Sequence, residues 1–164
     1  MKALKFALLG VASVGVIATA TQVQAEDITG NATAEIQQAI VLNEDTAMDF
    51  ATILADPAGD TVTLDTSNGV TSTGASTFSG TAASGAFSAS GTPNAAVTIS
   101  FSSGDTLTGP GAAMALGSFT TDAGGSPAFD ATGNLSFNVG ANLSVNPAQV
   151  GGSYAGTYTL TVDY

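Results

Sequence analysis

Period-2 alternation of apolar and polar residues is the feature that most constrains the fold of this chain. It is clearest in GGSYAGTYTLTVDY (151–164), where Tyr158, Leu160, Val162 and Tyr164 alternate with three threonines and an aspartate. Successive side chains of a β-strand point to opposite faces of its sheet, so the pattern predicts a half-buried strand. Because chain ends fray unless a sheet holds them, we expect this strand to be paired or offered to a partner.

The same alternation recurs along the chain, as in AVTISF (96–101) and NLSFNVG (134–140), and turn-forming Gly, Pro and Asn residues separate the segments. The predicted strands cover residues 32–42, 46–54, 60–66, 85–91, 95–102, 112–121, 134–145 and 154–164. Their spacing predicts an all-β fold, namely an Ig-like (Greek-key) antiparallel β-sandwich of about 7–9 strands.

The segment ATAEIQQAIVL (32–42) allows two interpretations. Ile36, Ile40 and Leu42 fit one face of a helix, but they also share a strand face with Ala34, interrupted only by Gln38. We favour a strand, because the other segments indicate a β protein and a lone helix needs a separate reason to form.

The N-terminal residues are typical of an export signal. Lys2 and Lys5 precede the apolar run ALLGVASVGVIA, and Val23 and Ala25 supply small residues for cleavage. We therefore predict a signal peptide over residues 1–25 and a single β-sandwich domain over 26–164. The Gly/Ser-rich stretch 71–91 is alternatively a linker between two domains, but its Phe78 and Phe87 favour a hairpin within one domain.

The charge distribution excludes several classes of partner. Residues 26–164 contain all 13 acidic side chains and neither Lys, Arg nor His, so no side-chain salt bridge forms there. Binding to nucleic acid or to anionic membrane surfaces requires basic side chains. We therefore expect neither partner, and the absence of Cys means that no disulfide stabilises the fold.

We predict no catalytic residue and no cofactor, so the protein is expected not to be an enzyme. A hydrolytic nucleophile needs a base such as His or Lys, and GGSYA (151–155) misses the G-x-S-x-G motif at Ala155. Calcium is the one metal with candidate ligands, in residues 43–45 and in the pairs Asp56 with Asp60 and Asp122 with Asp130. None forms a D-x-D-x-D-G loop, so we predict no metal site.

Three segments together carry a family resemblance. They are LNEDTAMDFATILADPAGDTVTLDTSNGVTSTG, GAFSASGTPNAAVTISF and LSFNVGANLSVNPAQVGGSYAGTYTLTVDY, which follow one another along nearly the whole of residues 26–164. In this order they resemble the bacterial secreted family known as domain of unknown function 4402. The resemblance implies a secreted Ig-like β-sandwich with no established activity.

The last segment is also similar, more distantly, to the closing strand of chaperone–usher pilins and of the secreted pilins related to spore coat protein U. Gly151 matches a Gly that lies fourteen residues from the end of that pattern, followed by the alternating strand. The pilin Tyr is penultimate, whereas here Asp163 is penultimate and Tyr164 is last. Strand exchange also needs an N-terminal donor extension. Only EDITGN precedes the first predicted strand, so either that strand is the donor or the sandwich closes by itself.

The functional expectation is an exported, non-enzymatic structural or surface protein, a pilin-like subunit that assembles by β-strand exchange. Its partners would be further copies of the chain or a periplasmic chaperone, and its location the periplasm, cell surface or medium. The alternatives are a monomeric secreted binding module with an unknown small ligand and a small outer-membrane β-barrel. The predicted assembly residues are Gly151, Gly152, Tyr158, Leu160, Val162 and Tyr164, with Ile36, Ile40 and Leu42 if the first strand is exchanged.

Overall fold

A computed structural model describes residues 25–164 of the chain. The predicted signal peptide, apart from Ala25, lies outside the described residues. Residues 25–34 contain neither helix nor strand. Every strand lies in the compact unit Glu35–Tyr164, and the predicted extent of the domain, 26–164, stays a prediction.

The described part of the chain is all-β, as predicted, with no helix and with antiparallel pairing throughout. It has eleven strands, more than the sequence predicts, because three short strands form at residues 70–72, 77–79 and 105–107, where no strand is predicted. They are β1 (Val41–Thr46), β2 (Thr52–Leu54), β3 (Asp60–Leu64), β4 (Val70–Ser72), β5 (Thr77–Ser79), β6 (Gly85–Ser90), β7 (Thr98–Phe101), β8 (Asp105–Leu107), β9 (Met114–Thr121), β10 (Asn134–Val145) and β11 (Leu160–Asp163).

Strand β10 organises the largest sheet. Its first half pairs with β6 and its second half with β3, while β9 pairs across the register shift between Gly140 and Asn142. The resulting order is β1-β6-β10-β3-β4, with β8 joined through β9. Two further pairs, β7 with β11 and β2 with β5, complete the fold.

The core lies between these sheets. Val62, Leu64, Val139 and Leu143 are the largest fully buried side chains, and Leu143 lies opposite Val62 on β3 and Leu116 on β9. From the other side, the apolar side chains of β7 and β11 pack on Phe87 and Phe137. Two sheets therefore enclose apolar side chains in a sandwich-like arrangement.

The prediction of a strand over 32–42 is wrong for most of its length. The structure has no strand before Val41, and Ile36 is 91% exposed. The reason lies at Gln38, whose backbone N–H bonds the hydroxyl of Thr92 and whose carbonyl bonds the hydroxyl of Tyr164. Side chains thus occupy positions that a neighbouring strand would need.

Two other predicted strands are shortened by local turns. The predicted strand 46–54 breaks at Ala51, which has a φ of 59° and donates its N–H to the Asp49 carboxylate. The predicted terminal strand 154–164 is reduced to β11, because its partner β7 ends at Phe101. Tyr158 therefore lies two residues before the strand and Tyr164 directly after it.

Candidate functional site

A groove of about 1010 Å³ opens between residues 42–55 and residues 149–160. Its floor consists of core side chains from β9 and β10: Met114, Leu116, Leu143 and Val145. Grooves with apolar side chains in their lining are common at binding sites, which makes this groove the candidate site.

The terminal segment forms one wall of the groove. Its side chains alternate as predicted, with Tyr158 and Leu160 half-buried and lining the groove and the intervening threonines exposed. The carbonyl of Thr159 accepts a hydrogen bond from the N–H of Ser102, the residue that follows β7. The backbone hydrogen-bonding groups of Thr159 therefore face β7. In an antiparallel ladder the next residue, Leu160, directs its N–H and carbonyl to the opposite edge. Among the described residues no strand pairs with that edge.

The facing wall also has a free edge. Strand β1 pairs only with β6 in the described chain, and Met48, Phe50 and Ile53 follow it along the groove. Phe50 is buried, whereas Leu54 and Val150 at the rim are 73% and 53% exposed. Natural sheet edges are commonly blocked by Lys, Pro or a covering element, and no Lys is available in residues 26–164. The groove thus has two unpaired strand edges and an apolar floor.

Tyr158 contributes an aromatic surface to this groove. Its ring stacks on Phe119 at 4.9 Å between centroids and meets Phe87 edge-on at 6.4 Å. Burial, followed by the nearby negative charge of Glu44, raises the pKa of Tyr158 to about 12, so the phenol stays neutral at physiological pH. Its hydroxyl is buried with no hydrogen-bond partner among the described residues.

Tyr154 fixes the loop at the base of the terminal wall. Its hydroxyl donates to the carbonyl of Val150, four residues back, at 2.7 Å, and accepts from the N–H of Gly111 at 2.9 Å and the amide of Gln149 at 2.8 Å. A Tyr hydroxyl that bonds a backbone group a few residues upstream also occurs in Greek-key sandwiches, where it is called a tyrosine corner. The hydrogen bonds of Tyr154 fix the position at which the terminal segment begins to form the groove wall.

The structure brings together some of the predicted assembly residues and separates others. Leu42, Gly151, Gly152, Tyr158 and Leu160 line the groove. Gly152 has a φ of 147°, and a Cβ there would lie 2.6 Å from Cγ of Pro110, so only Gly fits.

The remaining predicted residues lie elsewhere. Ile40, Val162 and Tyr164 pack against a neighbouring cluster around Phe129, and Ile36 belongs to no core cluster. Sequence reasoning did not select Met48, Phe50, Ile53 or Tyr154 for the site. The backbone contact of Tyr154 depends on the loop conformation, and nothing local distinguishes the other three from core residues.

The acidic pairs considered for calcium are engaged in turns. Asp56 accepts the N–H of Ala75 at 2.9 Å, and Asp60 accepts the hydroxyl of Ser72. Asp122 binds the backbone and side chain of Asn138 at 2.6 and 2.8 Å. Over residues 25–164 no group of three or more acidic side chains is placed to hold a metal ion. The same range has no helix long and apolar enough to cross a membrane.

Comparison with known proteins gives one match. The family model described as "Domain of unknown function (DUF4402)" matches residues 40–164, from the start of β1 to the terminal Tyr164. No curated protein and no solved structure matches the chain. Since the family model covers the whole β-sandwich and most of the sequence, the chain belongs to the DUF4402 family.

Proposed function

We propose that this protein is an exported, non-enzymatic structural subunit that assembles by β-strand exchange. In this proposal the N-terminal arm, defined as residues 26–37, enters the groove of a second copy and pairs with its free edges. The observation that carries the proposal is the groove itself, in which two unpaired edges flank an apolar floor. An extended segment that adds a strand to such edges gains main-chain hydrogen bonds and places alternate side chains in the core.

The arm has the pattern that such a groove requires. Its even positions from 28 to 36 are all apolar or small, and its odd positions from 27 to 37 are all polar. The even set is Ile28, Gly30, Ala32, Ala34 and Ile36, and the odd set is Asp27, Thr29, Asn31, Thr33, Glu35 and Gln37. Ile28 is 96% exposed and Ile36 is 91% exposed. Burial of two Ile side chains stabilises the exchanged state by about 3–5 kcal/mol.

The lengths of arm and groove agree. Twelve extended residues span at most about 40–43 Å, and the twelve residues 149–160 of the terminal wall span no more than the same length. One arm therefore suffices to cover one groove, with Gln38 to Ile40 left to connect the arm to its own sandwich.

The backbone contact of Tyr154, a tyrosine corner, supports an Ig-like interpretation of the groove. In Ig sandwiches this corner stands at the start of strand F, the last strand but one. Tyr154 makes the contact at the start of the terminal segment, so the terminal segment corresponds to strand F. On this correspondence the position of strand G is the groove, and the arm of a second copy would fill it.

Charge favours assembly in salt. Glu26, Asp27 and Glu35 of the arm would approach Glu44 and Asp49 of the groove with no basic residue to offset them. Screening of this repulsion strengthens assembly. Before exchange the rim of the groove exposes Leu54 and Val150, and the arm exposes Ile28 and Ile36, which favours a periplasmic chaperone as a transient partner.

The test uses the cleaved chain, residues 26–164, run on a denaturing gel without and with boiling. We expect a ladder of oligomers in the unheated lane that collapses to one band on boiling. The decisive variant is Ile36→Asp, which places a charge on the apolar face of the arm and should abolish the ladder. The matched control is Gln37→Asp, which adds the same charge to the polar face and should keep the ladder.

Two results would contradict the proposal. One is a single monomer band for the parent chain in both lanes, which leaves a monomeric secreted module. The other is a ladder that survives Ile36→Asp unchanged, because the oligomers would then form without the apolar face of the arm.

A further inference from the structure

We infer that Tyr164 is a positioning residue for the arm. It holds Gln38, the residue that directly follows the arm, so that the arm enters the groove of a second copy and not its own. This inference rests on the proposed function, since it concerns how the same groove is filled. It assigns a role to a residue that lies outside the groove lining.

Gln38, Thr92 and Tyr164 form a hydrogen-bonded group, which we call the Tyr164 latch. The Tyr164 hydroxyl donates to the carbonyl of Gln38 at 2.6 Å and accepts the N–H of Thr92 at 2.7 Å. The N–H of Gln38 donates to the hydroxyl oxygen of Thr92 at 2.7 Å, and the two hydroxyl oxygens lie 3.1 Å apart. Both backbone hydrogen-bonding groups of Gln38 are therefore engaged.

The latch is rigidly supported. The ring of Tyr164 meets Phe129 edge-on at 6.0 Å between centroids, and Phe129 is only 2% exposed. Gly91 lets the two rings approach the backbone, since a Cβ there would lie 2.5 Å from Cε2 of Phe129 and 2.6 Å from the Tyr164 hydroxyl. Tyr164 is thus fixed by packing as well as by hydrogen bonds.

The position of Gln38 in the chain determines which movement of the arm the latch prevents. If the arm filled its own groove, it would pair with the free edge of β1 as a hairpin, connected by residues 38–40. Hairpin connections of two to five residues are common, so nothing in the chain length forbids this closure. Gln38 lies inside the connection, and a turn there redirects its N–H and carbonyl. Both hydrogen bonds of Gln38 in the latch must break before the arm can fold back.

Loss of the latch should therefore shift the arm from exchange between copies to closure within one copy. The test variant is Tyr164→Phe, which keeps the ring against Phe129 and removes only the hydroxyl. Thr92→Val removes the hydroxyl that accepts the N–H of Gln38. It is a second variant in case Tyr164→Phe has a folding defect peculiar to position 164. Thr161→Val, which removes an exposed hydroxyl from β11, is the matched control.

Four readouts are combined on the chain 26–164. Thermal melting shows whether each variant folds. Amide hydrogen exchange at Gln38 reports its hydrogen bond to Thr92 directly and should accelerate about tenfold in Thr92→Val, the factor of a typical hydrogen bond. The unheated gel measures oligomers, and a Glu-directed protease measures whether Glu35 in the arm is protected.

For Tyr164→Phe and Thr92→Val we expect a ladder reduced at least fivefold and a monomer in which Glu35 resists cleavage. A ladder equal to that of the parent would overturn the latch inference and leave strand exchange intact. A monomer in which Glu35 is cleaved would also overturn it, since the arm would then be free and not closed. Absence of a ladder in the parent chain itself would refute the proposed function, and the latch inference with it.

Discussion

The three tyrosines of this chain allow one chemical change, removal of a phenol hydroxyl, to be compared in three environments. Tyr154→Phe removes three hydrogen bonds and leaves the N–H of Gly111 and the carbonyl of Val150 without this partner. A neutral hydrogen bond contributes about 0.5–1.5 kcal/mol net, and partial solvent access limits the cost of each group left behind. We expect Tyr154→Phe to destabilise the sandwich by about 2 kcal/mol.

Tyr158→Phe should have the opposite sign. The Tyr158 hydroxyl is buried and has no partner among the described residues, so the folded state bears a desolvation cost with no compensating hydrogen bond. Its removal should leave the free energy of unfolding unchanged or raise it by up to about 1 kcal/mol. The aromatic contacts with Phe87 and Phe119 are kept by the Phe ring.

The assay is heat denaturation followed by circular dichroism, in an Ile36→Asp background that we expect to be monomeric. For a domain of this size 1 kcal/mol corresponds to roughly 3–6 °C in Tm, so Tyr154→Phe should lower Tm by roughly 6–12 °C. Tyr158→Phe should not lower Tm. Equal losses at the two positions would refute the assignment of hydrogen bonds at the base of the groove.

Three further predictions concern the core and the charges. Leu143→Ala, at a residue 1% exposed between β3 and β9, should reduce the free energy of unfolding by about 3–5 kcal/mol in chemical denaturation. Hydrogen bonds, first from the Thr132 side chain and then from the backbone, lower the pKa of Asp130. Its contribution is therefore present above the unfolded-state pKa and lost as pH falls through the lower folded value, so Asp130→Asn should flatten the decrease of Tm between about pH 5 and pH 2. Finally, Tm should rise between about 0.01 and 0.3 M NaCl, because all charged side chains of residues 26–164 are acidic and salt screens their repulsion. A Tm that falls over this range would contradict the prediction.

The sequence predicts the strands of this fold where alternation meets a clear turn. NLSFNVG lies in β10 and TISF is β7. Each of these segments has a neighbouring strand with which it pairs. The prediction fails at residues 32–40, where the pattern is as regular. Alternation reports which face of a segment is apolar, but it does not report whether a neighbouring strand exists to pair with it.

The candidate site was only partly predictable for a related reason. The terminal residues Tyr158 and Leu160 were readable, because their period places them inward on any sheet. The opposite wall, with Met48 and Phe50, depends on a turn at Ala51 and on contacts distant in sequence. The latch is equally non-local, since it joins Gln38, Thr92 and Tyr164 through side-chain hydroxyls that no local pattern marks.

The most direct test of strand exchange asks which copy's groove holds the arm. The chain with a diazirine leucine analogue at position 36 would be unfolded together with ¹⁵N-labelled parent chain, refolded, irradiated and digested with an Asp- or Glu-directed protease. We expect mass spectrometry to find unlabelled arm peptides joined to labelled peptides from residues 42–55 or 149–160. Cross-links confined to unlabelled peptides, or to surfaces outside the groove, would contradict strand exchange between copies.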